Sequence, residues 1–300
     1  MPAPRNLLIT GPTSGIGRAV ALALARQGHR LFLLCRNRQL GQALCREISA
    51  LPSSAPPRLL IADLGDMHQV RAAAQAVLDS GEPLHGLINN AGIVNTSRTL
   101  VHIDGTAHEQ VFAVNHLGHF LLTTLLLPRL IETGSSADGP ARIVVVSSDA
   151  YALFCRGLDF DDLARRERYS TFRVYGQSKL ANLLMAYELA QRLDPAVVQV
   201  NSLHPGGVNS QLGGNNPRRW YTDLVRALLR PLFIAPEQAA TTVLLLATGD
   251  VDTQGGYYYR MQPRRLKPWA MDGEAARRLW EYSESMVAIG APSEAGALPA

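Results

Sequence analysis

One α/β domain, with a doubly wound parallel sheet of about seven strands and helices on both faces, is the fold this sequence predicts, on three observations. Short apolar runs of buried-strand type alternate with segments of helical length and pattern, the order that yields a parallel sheet covered on both sides. The first strand and helix are joined by a glycine-rich turn, Gly11-Pro12-Thr13-Ser14-Gly15-Ile16-Gly17. The 300 residues are 47% hydrophobic, enough for one sizeable core rather than two small ones.

Residues 6–10, NLLIT, read as the first strand, and the segment from Arg18 onward as a strong helix. Strand, glycine turn and helix in that order make a Rossmann-type dinucleotide site. Glycines let the backbone turn tightly and approach a pyrophosphate, whose charge the free N–H groups of the helix start meet. The spacing is G-x-x-x-G-x-G rather than G-x-G-x-x-G, and Gly11, Thr13, Ser14, Gly15, Ile16 and Gly17 are the candidate contacts. A second strand, 30–35, ends at Cys35-Arg36-Asn37-Arg38. An acid at this point would suit a ribose 2′-hydroxyl, whereas arginine suits a 2′-phosphate. The sequence therefore predicts NADP(H), with Arg36 as the clamp and Arg18 and Arg38 as helpers.

Residues 39–50 read as a helix, 52–57 as a proline-punctuated loop and 59–62 as a third strand ending at Asp63-Leu64. Asp63 either accepts the adenine amino group or caps the next helix, over about 67–79, which starts near Asp66. The fourth strand, 84–88, runs into Asn89-Asn90-Ala91-Gly92, small residues that let the backbone lie against a cofactor. A long apolar helix over 109–131 carries Asn115, an amide mildly unfavourable inside a helix unless it has a task. His116 and His119 beside it lack a third metal ligand and read as packing or surface histidines. A fifth strand, 142–146, precedes Ser147-Ser148, hydroxyls at the strand end where such sheets place their ligands. The sixth strand, 197–203, ends in His204-Pro205-Gly206-Gly207, and a helix at 236–248 precedes a last strand at 256–260.

Composition limits the function classes. A net charge of +4 comes from arginines spread along the chain, not from a basic stripe, which argues against nucleic acid. Cys35, Cys45 and Cys155 are an odd number without metal-ligand spacing, so neither a disulfide framework nor a zinc site is expected. The N-terminal residues run straight into a strand with no signal pattern, and no run of about 18 apolar residues reads as a membrane span. A cytoplasmic protein is the expectation.

The segment YSTFRVYGQSKLAN, 169–182, carries the chemistry. Tyr175 and Lys179 stand four apart, so on a helix both lie on one face, one turn apart. A phenol is a poor base near neutrality, and a fixed ammonium beside it favours the phenolate and makes proton exchange feasible. Of the 29 basic residues only Lys179 and Lys267 are lysines.

Taken together, T-G-x-x-x-G-I-G at 10–17, N-N-A-G at 89–92, Asn115, the Ser147-Ser148 pair, Y-x-x-x-K at 175–179 and Pro205-Gly206 resemble the short-chain dehydrogenase/reductase family, over residues 5–288. The phrases N-H-L-G-H-F-L-L-T at 115–123, C-R-N at 35–37, Y-x-x-S-K-L-A-N at 175–182, H-P-G at 204–206 and L-W-E-Y-S-E at 279–284 are most similar to its retinol dehydrogenase and WW-domain oxidoreductase branch. The resemblance implies a catalytic set of Asn115, Ser148, Tyr175 and Lys179. Tyr175 would give a proton to a carbonyl oxygen or take one from an alcohol, and Ser148 would hydrogen-bond the same oxygen. Lys179 would hold the nicotinamide ribose and lower the pKa of Tyr175, and Asn115 would hold a water linking Lys179 to solvent. It also implies cofactor contacts at Asp63, Leu64, Asn90, Ala91, Gly92, Tyr175, Lys179, Pro205, Gly206 and Val208.

The expected activity is NADP(H)-dependent interconversion of a carbonyl and an alcohol on a hydrophobic small molecule. Two stretches are free to shape the substrate site: 149–173, with Tyr151, Leu153, Phe154 and Phe160, and a candidate lid at about 207–236 within a domain of 1–289. The alternatives are carbon–carbon double-bond reduction, as in protochlorophyllide reductase, and a non-catalytic NADPH sensor of the same fold. The apolar faces of the Asn115 and Tyr175 helices predict a homodimer or homotetramer, and 290–300 read as a disordered tail.

Overall fold

In a computed structural model the described residues are 3–52, 54–103, 105–136, 139–163, 169–207 and 234–287. Val208, nearly all of the candidate lid and the tail at 290–300 lie outside them. Seven strands run parallel, as the alternation predicts: β1 (Asn6–Thr10), β2 (Arg30–Cys35), β3 (Arg58–Ile61), β4 (Gly86–Asn89), β7 (Ala141–Val146), β8 (Val198–Leu203) and β9 (Tyr257–Tyr259). An eighth, β10 (Gln262–Pro263), pairs antiparallel at the edge, and β5 (Leu100–Ile103) and β6 (Thr106–Glu109) form a separate hairpin. The motifs do not show that hairpin, although the Asp-Gly dipeptide at 104–105 is a hairpin signal.

The order β10-β9-β8-β7-β4-β1-β2-β3 reverses its direction of winding between β1 and β4. A crevice opens at that switch point, beyond the carboxyl ends of the strands. The strands are apolar throughout rather than alternating because both faces are covered, and Leu7, Leu8 and Ile9 are all fully buried. Helices α3 (Met67–Asp79), α4 (Gln110–Gly134), α6 (Thr171–Arg192) and α8 (Gly273–Val287) share one core. On the other face lie α1 (Gly15–Arg26), α2 (Arg38–Ser49) and α7 (Pro236–Thr248), while α5 (Ala150–Phe154) follows β7.

Three features of this packing position the site. Helix α4 contains one π-helical turn at Ala113–Leu117, centred on Asn115, so the amide sits where the regular ladder is already broken. Gly118 lets α4 touch the segment after β3, since a Cβ there would overlap the Leu64 carbonyl oxygen. Gly118→Ala is therefore expected to destabilise the chain by about 1–3 kcal/mol, read as a lower urea midpoint at unchanged slope. Helix α8, which the sequence motifs do not show as an element, buries Ala276, Leu279, Trp280 and Val287. Trp280 meets Phe120 edge to face at 4.8 Å, and the Ser283 hydroxyl lies 2.8 Å from His116 Nε2. Helix α8 thus covers part of the α4 and α6 faces.

Among the described residues α4 is the one helix long and apolar enough to span a membrane by length and composition, and 83% of that stretch is buried. Its hydrophobicity is spent on the core.

Candidate active site

The hydroxyl of Thr10, the last residue of β1, accepts from the backbone N–H groups of Asn90 and Ala91, both at 2.9 Å. The Asn90 side chain answers by donating to the Thr10 carbonyl at 2.8 Å. These bonds pin the segments on the two sides of the switch point to each other. The turn after β1 needs its glycines: Gly11 has φ of 65°, and a Cβ on Gly17 would overlap the Gly11 carbonyl and approach Asn90 Nδ2 to 2.6 Å. Ser14 precedes α1 without using its side chain as a cap, which leaves the N–H groups of the first turn to a ligand.

The cleft at these strand ends is lined by Gly11, Thr13, Ser14, Gly15, Ile16, Gly17, Arg36, Asp63, Leu64, Asn90, Ala91 and Gly92, all named from the sequence. Leu34, Cys35, Asn37, Leu40, Ala62, Ile93 and Val114 line it too; Cys35 and Asn37 belong to the C-R-N phrase, and the others are marked in the sequence only by nearness to a strand end or to Asn115. Of the two roles open to Asp63, the cap falls to Asp66, which accepts from the N–H groups of His68 and Gln69 at 3.0 and 3.2 Å. Asp63 instead accepts from Gly65 N–H at 2.9 Å and lies 3.7 Å from Arg36 Nη1. Arg18 is engaged elsewhere, donating to both oxygens of Glu47 at 2.7 and 2.6 Å. Pro205 and Gly206 follow β8 without lining this cleft, and Gly206 takes φ of 92° against Ile234.

The catalytic candidates converge from β7, α4 and α6. Ser147 donates to the Lys179 carbonyl at 2.9 Å, fixing the end of β7 to α6. Ser148, the next residue, lies beside the Tyr175 phenol and opposes the effect of burial on it. Tyr175 and Lys179 stand one turn apart on α6, with Nζ 5.6 Å from the centre of the phenol ring. Lys179 is buried and donates to the Val146 carbonyl at 3.1 Å. The Asn115 amide clamps Ile93, accepting from its N–H at 2.8 Å and donating to its carbonyl at 3.0 Å, and donates to Ser178 Oγ at 3.0 Å. Gly92 joins both halves: a Cβ there would lie 3.4 Å from Lys179 Nζ and 3.5 Å from Asn115 Oδ1.

Sequence motifs miss a second cluster, behind Ser148. Asp149 accepts from the Tyr257 hydroxyl at 2.9 Å and from Arg264 at 2.6 Å, and its backbone N–H donates to His204 Nδ1 at 3.4 Å. It ties the serine turn to β8, β9 and the segment after β10. No local pattern reveals it, because its members come from remote stretches.

The electrostatics differ from the expectation that Lys179 lowers the Tyr175 pKa. Burial pushes the Tyr175 phenol up to about 12, partly opposed by the neighbouring Ser148. Burial also pushes the Lys179 ammonium down to about 8, so the lysine is itself short of solvation and spends a donor on a carbonyl. Between pH 8 and 10 the unfolded chain keeps the Lys179 proton that the folded chain has released, so this group's contribution to stability rises with pH there. Below that window its penalty is fully present. Lys179→Met is accordingly expected to be more stable than wild type at pH 7, by on the order of 1–2 kcal/mol, with the gain shrinking towards pH 10 in urea melts.

Comparison with known proteins gives the family. A family model described as short chain dehydrogenase matches residues 5–157. Retinol dehydrogenase 14 of Mus musculus is 40% identical over 95% of this chain and 86% of its own length, and retinol dehydrogenase 13 of Homo sapiens is 36% identical over 96% and 86%. A crystal structure of an uncharacterised Mycobacterium paratuberculosis protein superposes with a TM-score of 0.72 at 31% identity, covering 95% of this chain and 94% of that one. A Brucella melitensis 3-ketoacyl-(acyl-carrier-protein) reductase with NADH covers 84% of this chain and 95% of its own at 23% identity and a TM-score of 0.64, which shows the fold alone. The chain belongs to the retinol dehydrogenase branch of the short-chain dehydrogenase/reductase family, a family of nicotinamide-dependent oxidoreductases.

Proposed function

We propose that the chain interconverts a carbonyl and an alcohol on a hydrophobic small molecule, using NADP(H). The observation that carries this is the meeting of Tyr175, the neighbouring Ser148 and Lys179 Nζ with the glycine cleft at Gly92. The cleft suits a dinucleotide: it has a turn no Cβ would fit, a helix start without a side-chain cap, and Arg36 at the end of β2. When bound, the nicotinamide supplies or accepts the hydride. Thr13, Ser14, Gly15 and Ile16 would take the pyrophosphate, Arg36 the 2′-phosphate, Asp63 and Leu64 the adenine, and Asn90, Ala91, Gly92 and Lys179 the nicotinamide half.

The chain's own residues handle the proton. A phenol held at about 12 stays protonated throughout the neutral range, which suits Tyr175 to donate to a carbonyl oxygen as charge develops there. Ser148 supplies the second hydrogen bond to that oxygen, and Lys179, buried beside the phenol ring, supplies a positive charge in a poorly solvated place. Asn115 holds Ile93 and the start of the α6 chemistry in register, and in this reading also places the water that returns protons to Lys179.

Hydrophobic substrate recognition is supported by the surface next to Ser148. Leu153 and Phe154 on α5 are exposed, and Phe154 stacks on the exposed Phe172 at 5.0 Å. Tyr151 is not part of that surface, since it is buried with its hydroxyl accepting from Lys267 N–H. A cytoplasmic location without a membrane span belongs to the same reading, with α4 as a core helix; pelleting of the full-length chain with salt-washed membranes would overturn it. The homo-oligomer has a narrower basis than the sequence suggests, because α8 covers part of both helices. Light scattering at micromolar protein decides it, and a monomer mass would end it.

The experiment is NADPH consumption against a panel of hydrophobic aldehydes and ketones with retinal included. Turnover supports the proposal and ranks the substrates. NADPH binding without turnover on the panel would favour the sensor, and turnover confined to conjugated carbon–carbon double bonds would favour that reductase class.

A further inference from the structure

His119 has no part in the chemistry described so far, yet it is buried at the centre of the bonds that join the two halves of the site. Its Nδ1 lies 2.9 Å from the main-chain carbonyl oxygen of Asn115, inside the π-helical turn, and its Nε2 lies 2.9 Å from Thr10 Oγ1. The proton positions follow from the partners. A carbonyl only accepts, so Nδ1 carries the hydrogen. Thr10 Oγ1 already accepts from two N–H groups, those of Asn90 and Ala91, which fill its lone pairs. Its own hydrogen therefore goes to an unprotonated Nε2, at 2.9 Å, in preference to the Ile88 carbonyl at 3.4 Å.

We propose that His119, as a neutral Nδ1–H imidazole, is the positioning residue that sets the cofactor cleft and the Tyr175 helix in register. On one side it reaches Asn90 and Ala91 through Thr10. On the other it holds Asn115, whose amide clamps Ile93 and Ser178 Oγ, and Ser178 in turn donates to the Tyr175 carbonyl at 2.8 Å. A positively charged imidazole would have two donors and would displace one N–H from Thr10, so charging it breaks the link. Burial opposes that charge most, the bond to the Asn115 carbonyl works the other way and the field of Lys179 adds to burial, so that the ring is held down to about 4; His116 on the same helix is pushed to about 3. A chain of direct bonds between the two sides of a crevice transmits position because its central links, from Thr10 to His119, from His119 to the Asn115 carbonyl and from Asn115 to Ser178, are buried away from water.

The role rests on the proposed reaction for its consequence, but two of its tests do not need turnover. Ring-nitrogen NMR of the wild-type chain, assigned through the backbone, is expected to show the Nδ1–H form of His119 with no titration from about pH 5.5 to 8. His119→Asn keeps a donor near Nδ1 and loses Thr10, so NADPH is expected to bind several-fold more weakly with kcat near wild type. His119→Gln keeps an acceptor facing Thr10 and loses the Asn115 carbonyl, so kcat is expected to fall about ten-fold with NADPH affinity near wild type. An Nε2–H form, a titration near the ordinary value, or equal losses of affinity and kcat in both variants would overturn the role. Where neither variant folds, Thr10→Val, expected to weaken NADPH while leaving the Asn115 side intact, takes their place, and unchanged affinity in it counts against the role. If wild type binds NADPH but reduces no carbonyl, the proposed reaction fails while the tautomer and affinity still decide the role of His119.

Discussion

Tyr175→Phe is expected to lower kcat/KM for carbonyl reduction by about 10²–10⁴-fold while NADPH binds within about two- to three-fold of wild type. The change removes one hydroxyl from a side chain held between Ser148 and the buried Lys179, and leaves the ring that fills the same space. Without it, charge building on the substrate oxygen keeps only the Ser148 donor, and no proton is at hand. Because the lost interaction forms as the oxygen becomes basic, kcat falls and ground-state affinity does not. Single-turnover rates and NADPH fluorescence, measured on the same preparations, separate the two. Equal activity in the variant would remove Tyr175 from the chemistry, and loss of NADPH binding along with activity would show that the substitution damaged the cleft.

The second large effect is expected at Arg36. Arg36→Ala should weaken NADPH by about 10–100-fold and leave NADH nearly unchanged, since a charge-assisted bond to phosphate is lost and NADH has no phosphate there. Arg36 is half-exposed and shares its charge with Asp63 at 3.7 Å, so a 2′-phosphate has to compete with a carboxylate. Asp63→Asn is thus expected to shift preference further toward NADPH. Arg18→Ala should matter less, because Glu47 already holds that guanidinium with both oxygens. Raising ionic strength should weaken NADPH more than NADH in wild type and equalise them in Arg36→Ala. Wild type binding NADH more tightly than NADPH would end the NADP(H) assignment.

Much of this architecture is legible in the chain alone. Strand and helix positions follow from apolar runs and glycines, and the helix at 67–79 and that at 236–248 fall where the pattern predicts them. The cleft residues are legible because a tight turn packed against a neighbouring segment demands a backbone without side chains, and that demand leaves glycines in the sequence. Tyr175 and Lys179 are legible because a helix converts spacing of four into one face.

Other features have no local signature. The Asp149 cluster gathers Tyr257, Arg264 and His204 from segments far apart, and no spacing along the chain shows that they meet. Helix α8 is amphipathic, but which helices it covers depends on the finished core. The upward shift of Tyr175 follows from how tightly α6 is buried against β7, a packing density that spacing does not encode.

The sequence by itself determined the fold class, the parallel winding, the family and the identities of the residues at the strand ends, since backbone conformation and hydrophobic period are local properties. Only the tertiary structure decided what those residues do to one another. It gave Arg18 to Glu47, the helix cap to Asp66, and the Asn115 carbonyl to His119, because hydrogen bonds and desolvation depend on distances that exist only after remote segments have packed.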